Sequence, residues 1–173
     1  FPMGSPDGIG YDNEHPQHPV YLDAYWIDQT EVTNAMYEMC VDDGKCTDPY
    51  SEESSTRPSY FRNSTYRDYP VINVDWFQAK AYCKWVGREL PTEAQWEKAA
   101  RGTDGRTYPW GNNSPNGNLV NLADSNTSFD WRDDTIDDGY ADTAPVGTYP
   151  AGKSPSGALD MAGNVWEWTS SRY

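Results

Sequence analysis

Asp160-Met161-Ala162-Gly163-Asn164-Val165-Trp166-Glu167-Trp168 sets two carboxylates, Asp160 and Glu167, on either side of a Gly-Asn step and puts two tryptophans one residue apart. Two large aromatics at that spacing read as one face of a strand packing into a core. The acids are too far apart for one helical turn, but a chain that turns at Gly163-Asn164 can bring both to one cation. A hard cation such as Ca²⁺ takes about six to eight oxygens, and backbone carbonyls supply what carboxylates do not. The other reading is a turn whose acids face water, since the spacing is not that of an EF-hand loop.

Around this stretch lies a chain of 173 residues, a length that suits one domain, residues 1–173, with a core of its own. Net charge is −14, from 13 basic and 27 acidic residues. That argues against nucleic acid and anionic membranes as partners held by bulk charge, and suits a cationic partner, bound cations or a secreted surface. No run of about 18 apolar residues is present to insert in a membrane. Aromatics are 14% of the chain, with 8 Trp and 13 Tyr, while aliphatics are sparse. A core of rings with polar tips needs hydrogen-bond partners for those tips. The 14 Gly and 13 Pro predict many turns and little regular structure.

Cys40 and Cys46 flank Val41-Asp42-Asp43-Gly44-Lys45 and read either as a small disulfide loop or as two thiols. Cys83 is left over. The acidic, aromatic surface and three N-x-S/T sequons, at Asn63, Asn112 and Asn126, favour an oxidising, extracytoplasmic setting (secreted, cell surface or periplasmic) and make the chain a glycoprotein candidate. His15 and His18 have the spacing of metal ligands, but flanking prolines favour a structural or exposed role.

Local signals place three helices. Thr33 caps the first, with Met36, Tyr37, Cys40 and Val41 at helical spacing, and Gly44 ends it. Asp75 with Gln78 caps the second, whose inner stripe is Trp76, Ala79, Cys83 and Val86. Thr92 with Gln95 forms a capping box for the third, which ends at Arg101-Gly102. Val20–Ile27 is rich in β-formers and reads as a strand, and Tyr69–Val74 as a short extended stretch. Residues 112–142 are acidic and aperiodic, which predicts a functional or ion-organised loop.

Glu31-Val32-Thr33-Asn34, Tyr69-Pro70-Val71, Val74-Asp75-Trp76, Ala81-Tyr82-Cys83-Lys84-Trp85, Leu90-Pro91-Thr92-Glu93-Ala94-Gln95-Trp96-Glu97, Ala100-Arg101-Gly102, Tyr108-Pro109-Trp110-Gly111, Ala144-Pro145-Val146-Gly147 and Gly163-Asn164-Val165-Trp166-Glu167-Trp168 follow one another in this order. The chain resembles the formylglycine-generating enzyme (sulfatase-modifying factor) family over nearly its whole length. The resemblance implies an α+β, C-type-lectin-like fold with much irregular loop. It also implies two Ca²⁺ sites. Asn121, the carbonyl of Leu122, Asp138 and the carbonyl of Tyr140 match one. Asp160, the carbonyls of Gly163 and Val165, and Glu167 match the other.

The resemblance carries over less of the chemistry. In the family's oxidases a Cys pair downstream of Gly-Asn-x-Trp-Glu-Trp binds copper and activates O₂, in a segment that also supplies closing strands. All three Cys here lie upstream, and Cys83 matches a family Cys that in some members pairs with that segment. The iron site of the related sulfoxide synthases takes three His, and this sequence has 2. The expectation is therefore a non-catalytic, calcium-stabilised, extracytoplasmic domain that binds or assembles with protein, glycan or another copy of itself, lacking its closing segment. The alternative is a fragment of a copper-dependent oxidase that converts a sulfatase cysteine to formylglycine, with the Cys pair outside residues 1–173. No His stands in a motif that would activate a Ser or Cys nucleophile.

Overall fold

The structure, a computed structural model, describes residues 1–171. Regular structure is sparse. A two-residue antiparallel ladder joins β1 (Pro2–Met3) to β2 (His18–Pro19), and three helices follow, α1 (Asn34–Asp42), α2 (Trp76–Trp85) and α3 (Glu93–Arg101). All three start where the capping residues predict. Thr33 accepts from the Met36 amide, and reciprocal capping boxes join Asp75 to Gln78 and Thr92 to Gln95.

The core is aromatic. Tyr37 of α1 stacks on Tyr82 of α2 at 5.9 Å and meets Phe61 edge-on at 6.1 Å. Cys40 and Cys46 lie in the same cluster, bonded to each other. Three of the four buried tyrosines find an acceptor for the phenol: Tyr37 donates to the Thr47 carbonyl, Tyr60 to that of Pro70 and Tyr149 to that of Asp138. A second cluster packs Ala99 and Ala100 of α3 on Ala158 and Met161. It ties the Asp160–Trp168 stretch to α3.

Several expectations fail in an instructive way. Residues 20–27 form no strand, and no backbone N–H or C=O from Tyr21 to Asp28 makes a hydrogen bond among the described residues. Strand character needs a hydrogen-bonded partner, and this segment has none among the described residues. Tyr69–Val74 does pair, but only as a single bridge, Thr33 with Pro70. On α2 the buried residues are Gln78 and Tyr82, while Ala79, Cys83 and Val86 are half-buried: Cys83 and Val86 pack on the aromatic cluster and all three line a cavity. On α1, Met36 is exposed. Trp166 and Trp168 are not core residues either: Trp166 is fully exposed, and Trp168 is fastened by its indole N–H to the Val74 carbonyl at 3.0 Å.

Candidate functional site: two oxygen-rich loops and an open cleft

The Asp160–Trp168 stretch turns twice through left-handed backbone, at Asp160 (φ 58°) and Asn164 (φ 66°). Asp is tolerated there and Asn favoured, because their short polar side chains bond locally. Asn164 then becomes a junction. Its amide nitrogen donates to Glu31 Oε1 at 2.9 Å, its Oδ1 accepts from the Ala144 amide at 2.9 Å, and its backbone N–H reaches the Asn121 carbonyl at 3.1 Å. Asp160 Oδ2 accepts from the Gly147 amide at 2.6 Å, and Glu167 Oε2 from the Trp96 indole at 3.1 Å.

This geometry recruits a carboxylate that the motif comparison left out. Glu31 is brought to Asn164 across 133 positions of sequence, and its Oε2 is buried beside the Asp160 carboxyl with no hydrogen bond of good geometry among the described residues. Burial, then the negative charge of Asp160, push the Glu31 carboxyl far above the usual range, with Glu167 adding to the effect. Desolvation in the cleft wall also raises Glu167, the Trp96 indole pulls it back, and Asp160 adds repulsion. Glu31 and Glu167 are thus each raised by burial first and by the charge of Asp160 beside them, which makes this a crowded acidic pocket. The sequence signal was available, since Glu31 opens the Glu-Val-Thr-Asn motif. Nothing local ties it to residue 164.

The second loop brings Asn121 and Leu122 against Asp138 and Tyr140. The Leu122 amide donates to Asp138 Oδ2 and the Tyr140 amide to Asp138 Oδ1, both at 2.8 Å. Asn121 and Asp138 are buried, and burial raises the Asp138 carboxyl against the pull of those two amides. Asn121 Oδ1 and the carbonyls of Leu122 and Tyr140 accept no hydrogen bond among the described residues, which leaves them as oxygen donors. Asp124, fully buried, organises the loop by accepting from the amides of Asn126 and Asp138.

The two loops touch at one point. A Cβ built on Gly163 would stand 2.2 Å from the Asn121 carbonyl oxygen and 2.4 Å from Val120 Cγ2, so only glycine fits. Among the described residues no group of three or more His, Cys, Asp or Glu is set to hold a metal with side chains alone. A cation at either loop would draw on carbonyl and amide oxygens with one or two carboxylates, as Ca²⁺ sites do. His15 and His18 join no such group.

Glu31 and Glu167 also stand in the wall of a cleft of about 860 Å³. Its other walls are the unpaired segment from Tyr25 onward and the Ala79–Cys83–Val86 stripe of α2, with Trp26 and Trp166 fully exposed at 101% and 102%. Cys83 is a free thiol, and burial, with the charge of Asp28, pushes it up. A protonated, half-buried thiol is a poor nucleophile, and one thiolate is too few for a copper–dithiolate centre. Of the sequons, Asn63 and Asn126 spend their amide nitrogens on Ser59 and on Asp124 and Asp137.

A family profile described as "Sulfatase-modifying factor enzyme 1-like domain" matches residues 1–173. Hercynine oxygenase of Mycobacterium tuberculosis is 36% identical over 187 residues, covering 92% of this chain and 40% of that protein. The formylglycine-generating enzyme of Streptomyces coelicolor is 36% identical over 209 residues, covering 98% of this chain and 65% of that protein. The inactive C-alpha-formylglycine-generating enzyme 2 of Bos taurus is 44% identical over 108 residues, covering 61% of this chain and 34% of that protein. The chain thus spans about two fifths of the length of the hercynine oxygenases it matches.

Proposed function

The chain belongs to the sulfatase-modifying factor enzyme 1-like family, and from that premise we propose that it is a calcium-stabilised, extracytoplasmic binding or assembly domain with a C-type-lectin-like fold, without catalytic residues of its own among positions 1–173. Asn121, Leu122, Asp138 and Tyr140 would hold one Ca²⁺. Asp160, Gly163, Val165 and Glu167 would hold the other, with Glu31 beside them. Bound Ca²⁺ would order loops too polar to fold by burial alone. Its partner is a polypeptide: a closing segment of its own protein, another copy, or a separate protein.

The observation that carries this reading is the cleft. A half-buried apolar stripe lines it, opposite a segment whose backbone groups from Tyr21 to Asp28 are all unpaired among the described residues. Unpaired backbone beside an apolar wall suits an added strand, with main-chain hydrogen bonds giving affinity and side-chain pockets giving specificity. Hydrogen exchange tests it. In the protein as its gene encodes it, amides 21–28 should exchange much more slowly than in the isolated 1–173 chain. Equally fast exchange in both would remove the cleft as the binding face.

A second reading is supported by the names of the relatives. Proteins called oxygenase and formylglycine-generating enzyme cover 92% and 98% of this chain. In that reading residues 1–173 are the scaffold of an oxidase acting on a sulfatase cysteine, with the copper-binding Cys pair elsewhere in the protein. The residues encoded after Tyr173 decide between the two, followed by an assay of Cys-to-formylglycine conversion by the full protein with copper. Conversion would replace the first reading by the second.

A further inference from the structure

The loop between Asp124 and Asp138 carries an aromatic tip that the cation reading does not use. Phe129 and Trp131 stack with centroids 4.9 Å apart and planes 10° from parallel. Trp131 is 74% exposed and Phe129 45%. Phe129 covers one face of the indole, and the other faces solvent. The tip is not slack. The amide of Asp133 bonds to the Ala123 carbonyl at 3.0 Å and that of Ser125 to the Ile136 carbonyl at 3.1 Å, closing the loop at its base. Arg132 is folded inward, donating to Asp134 Oδ1 at 2.6 Å and to the Phe129 carbonyl at 3.2 Å.

Two exposed rings held parallel by a closed loop form a preorganised platform, and large aromatics are the residues around which interfaces concentrate their energy. Charge selects the occupant. Residues 124–138 contain six Asp and one Arg, and that Arg is already paired with Asp134. Asp130, between the two rings in sequence, is exposed and has no partner among the described residues. An anionic ligand is repelled here. A guanidinium matches both features, because it stacks flat on an indole face while its N–H fork reaches a carboxylate. We propose that the Phe129–Trp131 tip is a docking platform for an arginine side chain of a basic polypeptide partner, with Trp131 as the stacking surface and Asp130 as the counter-charge.

The test titrates a short peptide of alternating Gly and Arg, and its Gly and Lys counterpart, into the 1–173 chain at low ionic strength. Trp131→Ala keeps the charge and, at so exposed a position, leaves the thermal midpoint in place. It should weaken the Arg peptide about two- to five-fold, the range of an exposed cation–π contact. Tyr11→Ala, another exposed aromatic, should change nothing, and the Lys peptide should bind more weakly than the Arg peptide. In the wild-type chain the Trp131 indole N–H resonance should move on titration. An unmoved indole signal, or equal affinity of wild type and Trp131→Ala, would mean only diffuse attraction to a chain of charge −14 and would overturn the assignment.

Discussion

Gly163 lies directly against the backbone carbonyl of Asn121, with 2.2 Å between that oxygen and the place a Cβ would occupy. This contact joins the two oxygen-rich loops. The neighbour is backbone and cannot swing aside, so Gly163→Ala must separate the loops. The expected cost is about 1–3 kcal/mol or more of stability. Urea unfolding would show a lower midpoint with an unchanged slope, and Ca²⁺ affinity would fall in the same variant.

Removing divalent cations should loosen the fold. If Ca²⁺ binds as proposed, EDTA lowers the thermal midpoint of the wild-type chain, and Ca²⁺ at about a hundred times its dissociation constant restores about 2.7 kcal/mol per site. Glu31→Gln removes a buried carboxyl whose ionisation is disfavoured by burial and by the charge of Asp160. The EDTA-treated variant should therefore be as stable as wild type or more so, while its gain from Ca²⁺ shrinks. Equal Ca²⁺ stabilisation of both proteins, read by calorimetry, would separate Glu31 from the site.

Asp142 gives a pH dependence of known sign. Burial pulls its carboxyl upward, but Ser54 Oγ at 2.5 Å, the amides of Thr143 and Thr56 at 2.9 and 3.1 Å, and Arg57 at 3.7 Å outweigh burial and leave it below the ordinary range. A depressed carboxyl stabilises the fold fully above its unfolded value, near 3.9, and loses that contribution as pH falls through the folded value. Asp142→Asn should cost about 1–3 kcal/mol at neutral pH. The gap to wild type should close in acid, as denaturation curves taken across the acid range would record.

Cys40 and Cys46 join residues 6 apart in sequence and sit at 0% and 9% exposure. The double variant Cys40→Ala/Cys46→Ala should lose roughly 2 kcal/mol, the scale for so short a loop. Because the bridge lies in the Tyr37–Phe61–Tyr82 cluster, mild reductant should act on it only after unfolding. Thiol labelling against denaturant concentration would follow the unfolding curve.

The sequence was most informative where structure is local. The caps at Thr33, Asp75 and Thr92 mark all three helix starts, because a cap involves only three or four successive residues. Family motif order pointed to Asn121–Leu122 meeting Asp138–Tyr140, and their amide–carboxylate bonds are present. Residues 20–27 misled because their β-formers report suitability for a sheet, while a strand exists only through its neighbour. The Ala79–Cys83–Val86 stripe was read correctly as an inward face but only in part: Cys83 and Val86 pack against the aromatic cluster, while the same side chains also line the cleft, and periodicity does not say how completely a face is covered. Glu31 was missed as a member of the Asn164 junction because only tertiary folding brings it there.

The bare backbone from Tyr21 to Asp28 also bears on how the chain behaves in a tube. An open row of amides and carbonyls beside exposed Trp26 is a template on which a second molecule can build. What holds copies apart is their common charge of −14. That protection reaches only as far as the ionic atmosphere allows, about 10 Å at 0.1 M salt and about 3 Å at 1 M. Salt thus becomes an ageing variable: dilute buffer keeps isolated molecules apart, and concentrated salt starts their slow conversion to aggregates.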